Sequence, residues 1–283
     1  MKTLAELKRE IEELLIESSI DEAQLDARLL ICEALGLSYL DYAMENTREV
    51  SLQEYADVMK LVALRQSRMP ISQIFGEKEF WSLTFKVTPD VLTPRPDSET
   101  LIETALREIP NKALNLKILD MGTGSGCLLL ALLSEYSLAT GVGIDVSENA
   151  LNVARENAHS LGLADRTEFL LSNWTSELEC AERFDVIIAN PPYIGTNEKN
   201  ELSPEVKDHE PEQALFSGPD GLDDYRNISR QITPFLKKDG VIFLEIGHLQ
   251  AHAVKEIFTC EGFNDISIYK DMGNRDRCLM IKK

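Results

Sequence analysis

Apolar residues recur every three to four positions through the first 70 residues, which is the spacing of one helix face. One stripe contains Leu4, Leu7, Ile11, Leu14 and Leu15, and a second contains Leu25, Leu29, Leu30 and Ala34 ahead of a stop at Gly36. The stretch Ser51-Leu-Gln-Glu54 is a capping-box sequence that opens a third helix through Arg65. Residues 1–70 are therefore predicted to form a small helical bundle. They carry no chemical motif, so we expect a substrate-docking role.

The pattern changes over residues 71–92, which are predicted to form a β-hairpin linker. The apolar positions of this extended stretch are Phe80, Leu83, Phe85 and Val87. Two prolines in the next segment impose an extended or turn backbone. Asp97 or Ser98 is then expected to cap a helix that runs to about Glu108.

From Lys117 onward, apolar segments of strand length alternate with helical or loop stretches. The predicted strands cover residues 117–121, 141–145, 166–171, 184–189, 240–246, 264–270 and 276–281. Such alternation is typical of an α/β fold, a mostly parallel sheet with helices on both faces. Residues 93–283 are expected to form this domain, and Glu245, at the end of one strand, is expected to be structural.

Composition excludes several classes of protein. With 43% apolar residues among 283, the chain can bury a core without metal or disulfide support. Its longest apolar run, residues 127–133, is too short for a membrane span, and the start has no apolar signal-peptide core. The five cysteines are Cys32, Cys127, Cys180, Cys260 and Cys278. Their odd number without C-x-x-C spacing predicts reduced thiols, a cytoplasmic location and no metal site.

The charge balance of the chain indicates which kinds of partner it can bind. The net charge is −19, with −6 in residues 1–86 and −13 in residues 87–283, so neither part is basic. Phosphate neutralisation dominates most nucleic-acid affinity. A protein that coats DNA or RNA is therefore not expected.

The first candidate site is the glycine-rich segment at residues 122–126, which follows a predicted strand and precedes a predicted helix. It reads Gly122, Thr123, Gly124, Ser125 and Gly126. Glycines there let the backbone approach a ligand, and a helix N-terminus offers free N–H groups. The alternative is a glycine-rich turn that binds nothing.

Asp145 ends the next predicted strand, 19 residues after Gly126. An acid at this position can accept both ribose hydroxyl protons of a nucleoside. The spacing fits NAD and S-adenosylmethionine equally. The alternative role for Asp145 is the N-cap of the following helix.

The third candidate site, Asn190-Pro191-Pro192-Tyr193, follows the predicted strand at residues 184–189. Ligands of open α/β sheets bind at that edge. The prolines hold the backbone extended, so the Asn190 side-chain oxygen and the Pro191 carbonyl can converge on one NH₂ group. Tyr193 supplies a flat apolar face. The alternative is a rigid strand exit with no chemical role.

A planar NH₂ group that needs two acceptors is an amide or an aromatic amine. Its nitrogen is a poor nucleophile because the lone pair is delocalised, and positioning against an activated methyl group compensates for this. The three sites together therefore favour methyl transfer from S-adenosylmethionine, with S-adenosylhomocysteine as the product.

Six segments occur in the order found in the HemK/PrmC family of peptide chain release factor glutamine methyltransferases, and the chain resembles that family over essentially its whole length. The segments are Leu92-Thr-Pro-Arg-Pro-Asp-Ser-Glu99, Gly122-Thr-Gly-Ser-Gly126, Asn190-Pro-Pro-Tyr-Ile194, His209-Glu-Pro211, Asp220-Gly-Leu222 and Leu244-Glu-Ile-Gly247. One departure is Ser98, where the family commonly carries Thr. The resemblance implies a class I, Rossmann-like methyltransferase fold with a seven-stranded sheet and a small N-terminal helical bundle.

The resemblance also implies a role for each site residue. Residues 122–126 would hold the methionine part of the cofactor, and Asp145 the ribose. Trp174 would lie against adenine, although sequence alone leaves it equally a core residue. Asn190 would touch cofactor and substrate, with Pro191, Pro192 and Tyr193 completing the substrate pocket. For Arg95, closure over the site, a partner contact and an exposed turn residue all remain open.

Three functional hypotheses follow. The first is methylation of the glutamine side chain in the Gly-Gly-Gln motif of class 1 release factors, by an expected monomer that binds no stable nucleic acid and no membrane. The second is an adenine-amino methyltransferase acting on DNA or RNA, against which the charge of residues 87–283 counts. The third is a cofactor-binding partner of the translation machinery without catalysis, against which the intact Asn190-Pro-Pro-Tyr193 counts.

Overall fold

The computed structural model describes residues 2–179, 181 and 183–283. These residues fall into two compact units. The first runs up to Gly76 and includes Ser203–His209, and the second comprises Glu77–Leu202 and Glu210–Lys283. Four of the five cysteines lie within the described residues and are free thiols, namely Cys32, Cys127, Cys260 and Cys278. The prediction for Cys180 lies outside the described residues.

The first unit is built from short antiparallel strands and helices whose apolar stripes form a shared core. Its elements up to Gly76 are β1 (Lys2–Thr3), α1 (Leu4–Glu17), α2 (Ala23–Leu35), α3 (Tyr39–Met44), β2 (Glu49–Val50), α4 (Leu52–Gln66) and α5 (Ile71–Phe75). The three helices predicted from the stripes are present as α1, α2 and α4. Gly36 ends α2 with a φ of 61°, and Ser51 and Glu54 form the predicted capping box of α4.

One segment from far along the chain folds with the first unit. Helix α9 (Pro204–His209) places Glu205 beside two arginines, with 3.1 Å to Arg65 Nη2 and 2.8 Å to Arg68 Nη2. Arg65 Nε also donates a buried hydrogen bond of 2.7 Å to Asp26. The sequence prediction placed residues 203–209 with the α/β domain, because no local pattern indicates this distant pairing.

The second unit opens with the predicted hairpin, formed by β3 (Glu77–Phe80) and β4 (Leu83–Lys86). Its two-residue turn, Trp81 and Ser82, has φ angles of 52° and 57°. Two positive φ angles match the twist of a tight hairpin. The start of the predicted linker differs from the prediction, because residues 71–75 form helix α5 within the first unit.

Seven strands form the main sheet, in the order β10-β11-β9-β8-β5-β6-β7. They are β5 (Lys117–Met121), β6 (Thr140–Asp145), β7 (Thr167–Leu171), β8 (Phe184–Ala189), β9 (Leu236–Glu245), β10 (Asp265–Lys270) and β11 (Asp276–Lys282). Strands β5 to β9 pair in parallel, whereas β11 is antiparallel to both its neighbours. The predicted mostly parallel, seven-stranded sheet is confirmed.

Two apolar layers, one against each face of the sheet, make up the core of the second unit. The packing helices are α6 (Glu99–Glu108), α7 (Cys127–Glu135), α8 (Glu148–Ser160), α10 (Asp223–Ile232) and α11 (Ala251–Cys260). The chain builds β5, β6 and β7 outward on one side and then crosses to β8 on the other side of β5. Such a reversal opens a crevice at the carboxyl ends of the strands. None of the helices in the described ranges is long and apolar enough to cross a membrane.

Candidate active site

A cavity of about 500 Å³ lies within the second unit, at the carboxyl ends of β5, β6, β7 and β8. Its size suits a ligand of a few hundred daltons. Eight of the predicted site residues line it, namely Gly122, Thr123, Gly124, Ser125, Asp145, Trp174, Asn190 and Pro192. Gly126, Pro191 and Tyr193 lie next to lining residues in the chain but do not line the cavity themselves. The structure thus brings all three candidate sites together.

The glycine loop is fixed to the end of β6. The N–H groups of Gly122 and Thr123 both donate to the carbonyl of Ile144, each over 2.9 Å. Gly122 has a φ of 72°, and a Cβ built there would lie 3.8 Å from the ring of Trp174. Gly126, with a φ of 81°, is the N-cap of α7. The glycines of the loop therefore let its backbone lie close to the cavity, next to the N-terminus of α7.

Asp145 clamps the loop from the end of β6. Its Oδ2 accepts a hydrogen bond of 2.9 Å from the N–H of Gly124, and its Oδ1 accepts one of the same length from the N–H of Ser147. Burial raises the pKa of Asp145, while these backbone donors lower it. A carboxylate has about four lone-pair directions, so each oxygen keeps capacity for a ligand hydroxyl. The N-cap of α8 is Ser147, not Asp145.

A second acid lies beneath the loop. The Oδ2 of Asp120, at the end of β5, accepts a hydrogen bond of 2.7 Å from the hydroxyl of Thr123, and Oδ1 is buried without a partner among the described atoms. Burial raises the pKa of Asp120 to about 7, despite hydrogen bonds from Thr123 and the N–H of Leu129. Sequence reasoning missed this residue, although a lone acid that ends a buried apolar strand is a usable signal.

Trp174 lies between the cavity and the core. Its ring lines the cavity and lies 3.8 Å from the point where a Cβ on Gly122 would stand. The ring also packs partly against the apolar layer that includes residues of α10. A hydrogen bond from its side chain lowers the pKa of Asp224, which burial otherwise raises. Trp174 has a φ of 51°, an unfavourable conformation for a bulky residue. Strained backbone of this kind clusters at functional sites.

Asn190 follows β8 and faces the start of α6. Its Nδ2 donates a hydrogen bond of 3.2 Å to the hydroxyl of Ser98. The backbone beyond it is also fixed, because the side-chain amide of Gln250 donates to the carbonyl of Tyr193 over 2.9 Å. Pro191 is buried, whereas Pro192 lines the cavity. The segment is therefore held rigidly at the edge of the cavity.

A buried acid, Glu245, lies at the end of β9. Burial raises the pKa of Glu245 to about 7. Hydrogen bonds from the hydroxyls of Ser98 and Tyr193 and the charge of Arg277 act in the opposite direction and lower this pKa. Burial and the neighbouring Glu245 also raise the pKa of Tyr193 to about 12. Tyr193 thus contacts the acid through its hydroxyl. The expectation of a structural Glu245 did not include this link to the site.

A third buried acid, Glu210, joins two segments of the cavity wall. Its Oε2 accepts a hydrogen bond of 3.0 Å from the N–H of Thr93, and its Oε1 accepts one of 3.1 Å from Arg95. Arg95 is therefore paired with an acid of its own unit. Within the described part of the chain, no group of three or more His, Cys, Asp or Glu residues has the arrangement of a metal site.

Two family models match parts of this chain, and curated relatives match most of its length. A methyltransferase domain model matches residues 112–265, and a PrmC N-terminal domain model matches residues 6–76. The release factor glutamine methyltransferase of Caulobacter vibrioides is 39% identical over 264 residues, 93% of this chain and 91% of that protein. That of Cereibacter sphaeroides is 41% identical over 263 residues, 93% of this chain and 92% of that protein.

Among solved structures, the hMettl16 catalytic domain in complex with a MAT2A 3'UTR hairpin is similar with a TM-score of 0.59. The likeness covers 89% of this chain and 90% of that one at 14% sequence identity. At such low identity the likeness bears on the fold alone.

Proposed function

The chain belongs to the release factor glutamine methyltransferase family, and we propose that its cavity transfers a methyl group from S-adenosylmethionine to the glutamine side chain of the Gly-Gly-Gln motif in class 1 release factors. The observation that carries the proposal is the convergence of Asn190, Asp145 and the 122–126 loop on one cavity. The similarity to members of this family extends over both units, as the order of the sequence motifs implied.

The residues around the cavity fit the cofactor. Asp145 keeps acceptor capacity for ribose hydroxyls, and Trp174 offers an aromatic face beside the glycine loop. The glycine segment leaves room for the methionine part, next to the N-terminus of α7. When bound, S-adenosylmethionine supplies a methyl group activated by its sulfonium sulfur.

Asn190 and Pro191 then account for the choice of a planar NH₂ group. The side-chain oxygen of Asn190 and the carbonyl of Pro191 are acceptors for the two amide protons of glutamine. Holding both protons fixes the nitrogen in position and favours its pyramidal form as the new bond develops. Tyr193 is anchored through its hydroxyl to Glu245, which restricts its ring beside the pocket. A strong general base is unnecessary, because the nitrogen loses a proton readily once it carries the methyl group.

The first unit is proposed to capture the folded release factor. Its match to a PrmC N-terminal domain supports this role. Helix α3 carries apolar side chains that are well exposed, Leu40 at 66% and Met44 at 74%. Replacing both with Ser is expected to raise KM for a folded release factor and to leave KM for a short Gly-Gly-Gln peptide unchanged. Equal changes for both substrates would contradict docking through α3.

The deciding experiment is methyl transfer from labelled S-adenosylmethionine to three acceptors in parallel. They are a class 1 release factor, its Gln→Ala variant in the Gly-Gly-Gln motif, and adenine-containing DNA. Label on the unmodified factor alone supports the proposal. Label on DNA alone would reassign the same pocket to adenine, and cofactor binding without any labelled product would indicate a non-catalytic role.

A further inference from the structure

Ser98 occupies the position where a helix cap is expected but its side chain does not cap. It precedes α6 at the N-cap, and no hydrogen bond joins its hydroxyl to the first turn of that helix. Ser98 is 2% exposed, and its hydroxyl accepts the hydrogen bond of 3.2 Å from Asn190 Nδ2 instead. Ser98 ends a 3-10 turn, Pro96–Ser98, and its φ of −69° and ψ of −17° are already helical, so its side chain is not placed to cap α6.

The other neighbour of the Ser98 hydroxyl is Glu245. The Ser98 hydroxyl donates to the carboxyl group of Glu245, which lowers the pKa of that acid against the effect of burial. A hydroxyl has a single proton to donate. When that proton points to Glu245, the oxygen of Ser98 can only accept from Asn190. The direction of these two hydrogen bonds, from Asn190 to Ser98 and from Ser98 to Glu245, therefore fixes which end of the Asn190 amide faces Ser98.

We propose that Ser98, held by Glu245, is a positioning residue that orients the Asn190 amide so that its oxygen faces the substrate. The inference deepens the proposed function and rests on it. A side-chain amide turned by 180° would instead present two N–H donors to the NH₂ group of glutamine. Two donors facing two donors cannot hydrogen-bond, so the turned amide cannot hold the substrate nitrogen.

Glu245 is fixed in turn by groups from several elements. Arg277 in β11 approaches its Oε1 to 4.0 Å, and the hydroxyl of Tyr193 lies close to its carboxylate. Arg277 Nη2 also donates to Asp97, the residue before Ser98, over 3.0 Å. Glu245, the Ser98 hydroxyl and Tyr193 are thus parts of one connected network.

The test compares Ser98→Ala with Ser98→Thr, which restores the hydroxyl and matches the residue common in the family. Ser98→Ala is expected to lower kcat about tenfold, the scale of one hydrogen bond, with the cofactor Kd within twofold of the original. Ser98→Thr is expected to keep kcat within about threefold. Ser229→Ala is the matched control, because Ser229 is equally buried in α10 and its hydroxyl donates only to the carbonyl of Arg226.

A second measurement separates positioning from general structural damage. Since Ser98 acts through Asn190, adding Ser98→Ala to Asn190→Ala is expected to cause no further loss of kcat. An equal tenfold loss in both backgrounds, or an unchanged kcat in Ser98→Ala alone, would overturn the inference. If the unmodified enzyme fails to label a release factor, the proposed function fails. If it labels the factor and Ser98→Ala does so at the same rate, this inference alone fails.

Discussion

Glu210 and Arg95 are joined by a hydrogen bond of 3.1 Å, although they are 115 positions apart in the sequence. The other oxygen of Glu210 holds the N–H of Thr93. Thr93 and Pro94 line the cavity, as does Pro211, which follows Glu210 in the chain. One buried carboxylate therefore holds two segments of the cavity wall at a fixed distance.

Replacing Glu210 with Ala is expected to weaken cofactor binding by about tenfold or more, because a charged hydrogen bond and a backbone contact are lost together. Arg95→Ala is the comparison. Its side chain is 39% exposed and it leaves the contact to Thr93 intact, so a smaller loss is expected. Calorimetric titration with S-adenosylmethionine measures the cofactor Kd of both variants. Equal effects of the two substitutions would show that the arginine, not the backbone contact, fixes the wall.

Asn190→Ala removes one of the two proposed acceptors for the substrate amide. We expect cofactor binding to be partly retained and kcat to fall by about 100-fold or more, the scale for loss of one preorganised hydrogen-bonding group. Turnover of a release factor with labelled cofactor, alongside the cofactor Kd, measures the two effects separately. Turnover close to that of the unmodified enzyme would refute the assigned role of Asn190.

The central strands β5, β6 and β8 were predictable because they are largely buried and read as continuous apolar runs. Strands β5 and β8 match the predicted residues 117–121 and 184–189. The start of β9 was missed, since Leu236 is followed by the polar run Lys237-Lys238-Asp239, which nevertheless belongs to the strand. Helices α3 and α5 were missed because six and five residues are too few to establish a periodic stripe.

Local pattern offers a signal for Asp120 alone among the buried acids around the site, and it does not predict the contacts that these acids make. Glu210 and Glu245 lie in recognisable motifs, but only the tertiary fold places them away from water and beside particular donors. Ser98 illustrates the same limit. Its sequence context predicts a helix cap, but Ser98 ends a 3-10 turn with helical backbone angles, and its hydroxyl accepts from Asn190 instead. The motifs located the cavity, whereas the contacts that support it required the fold.

Asp145→Ala tests the ribose assignment. The substitution removes an acceptor for the cofactor and also the clamp on the N–H of Gly124. We expect the cofactor Kd to rise by at least about tenfold, the scale of a hydrogen bond to a charged group. At saturating cofactor, kcat is expected to fall much less. Equilibrium binding gives the Kd, and an unchanged value would contradict the assignment.

Asp120 is expected to make stability depend on pH. Burial raises its pKa from 3.8 to about 7, so the folded protein holds this proton over a pH range where the unfolded chain releases it. Stability from this group is therefore fully present below about pH 4 and is lost as the pH rises through 7. The full loss is on the order of 4 kcal/mol.

The variant Asp120→Asn isolates this contribution, since its side chain keeps an acceptor for Thr123 but does not ionise. The free energy of unfolding, measured in urea at pH 5 and pH 8, is expected to fall less with pH in the variant than in the original. Asp145 and Cys127, the titratable groups near Asp120, are unchanged between the two proteins. Identical pH dependence in both would show that Asp120 ionises normally in the folded state.

Asp26 and Arg65 form a buried ion pair in the first unit, with 2.7 Å between Oδ2 and Nε. Removing one partner of a buried pair leaves the other charge without water or full compensation. Glu205 still contacts Arg65 in Asp26→Ala, so the loss is expected at the lower end of the usual range, about 3 kcal/mol in the free energy of unfolding.

The matched control is Asp57→Ala in α4, because Asp57 pairs with Lys60 at the surface, where solvent screens the charges. This control is expected to leave the urea midpoint almost unchanged. Because both substitutions lie in the first unit, unfolding is followed there by hydrogen exchange at amides of α2 and α4. If Asp26→Ala and Asp57→Ala shift that exchange equally, the buried pair contributes no more to stability than a surface pair does.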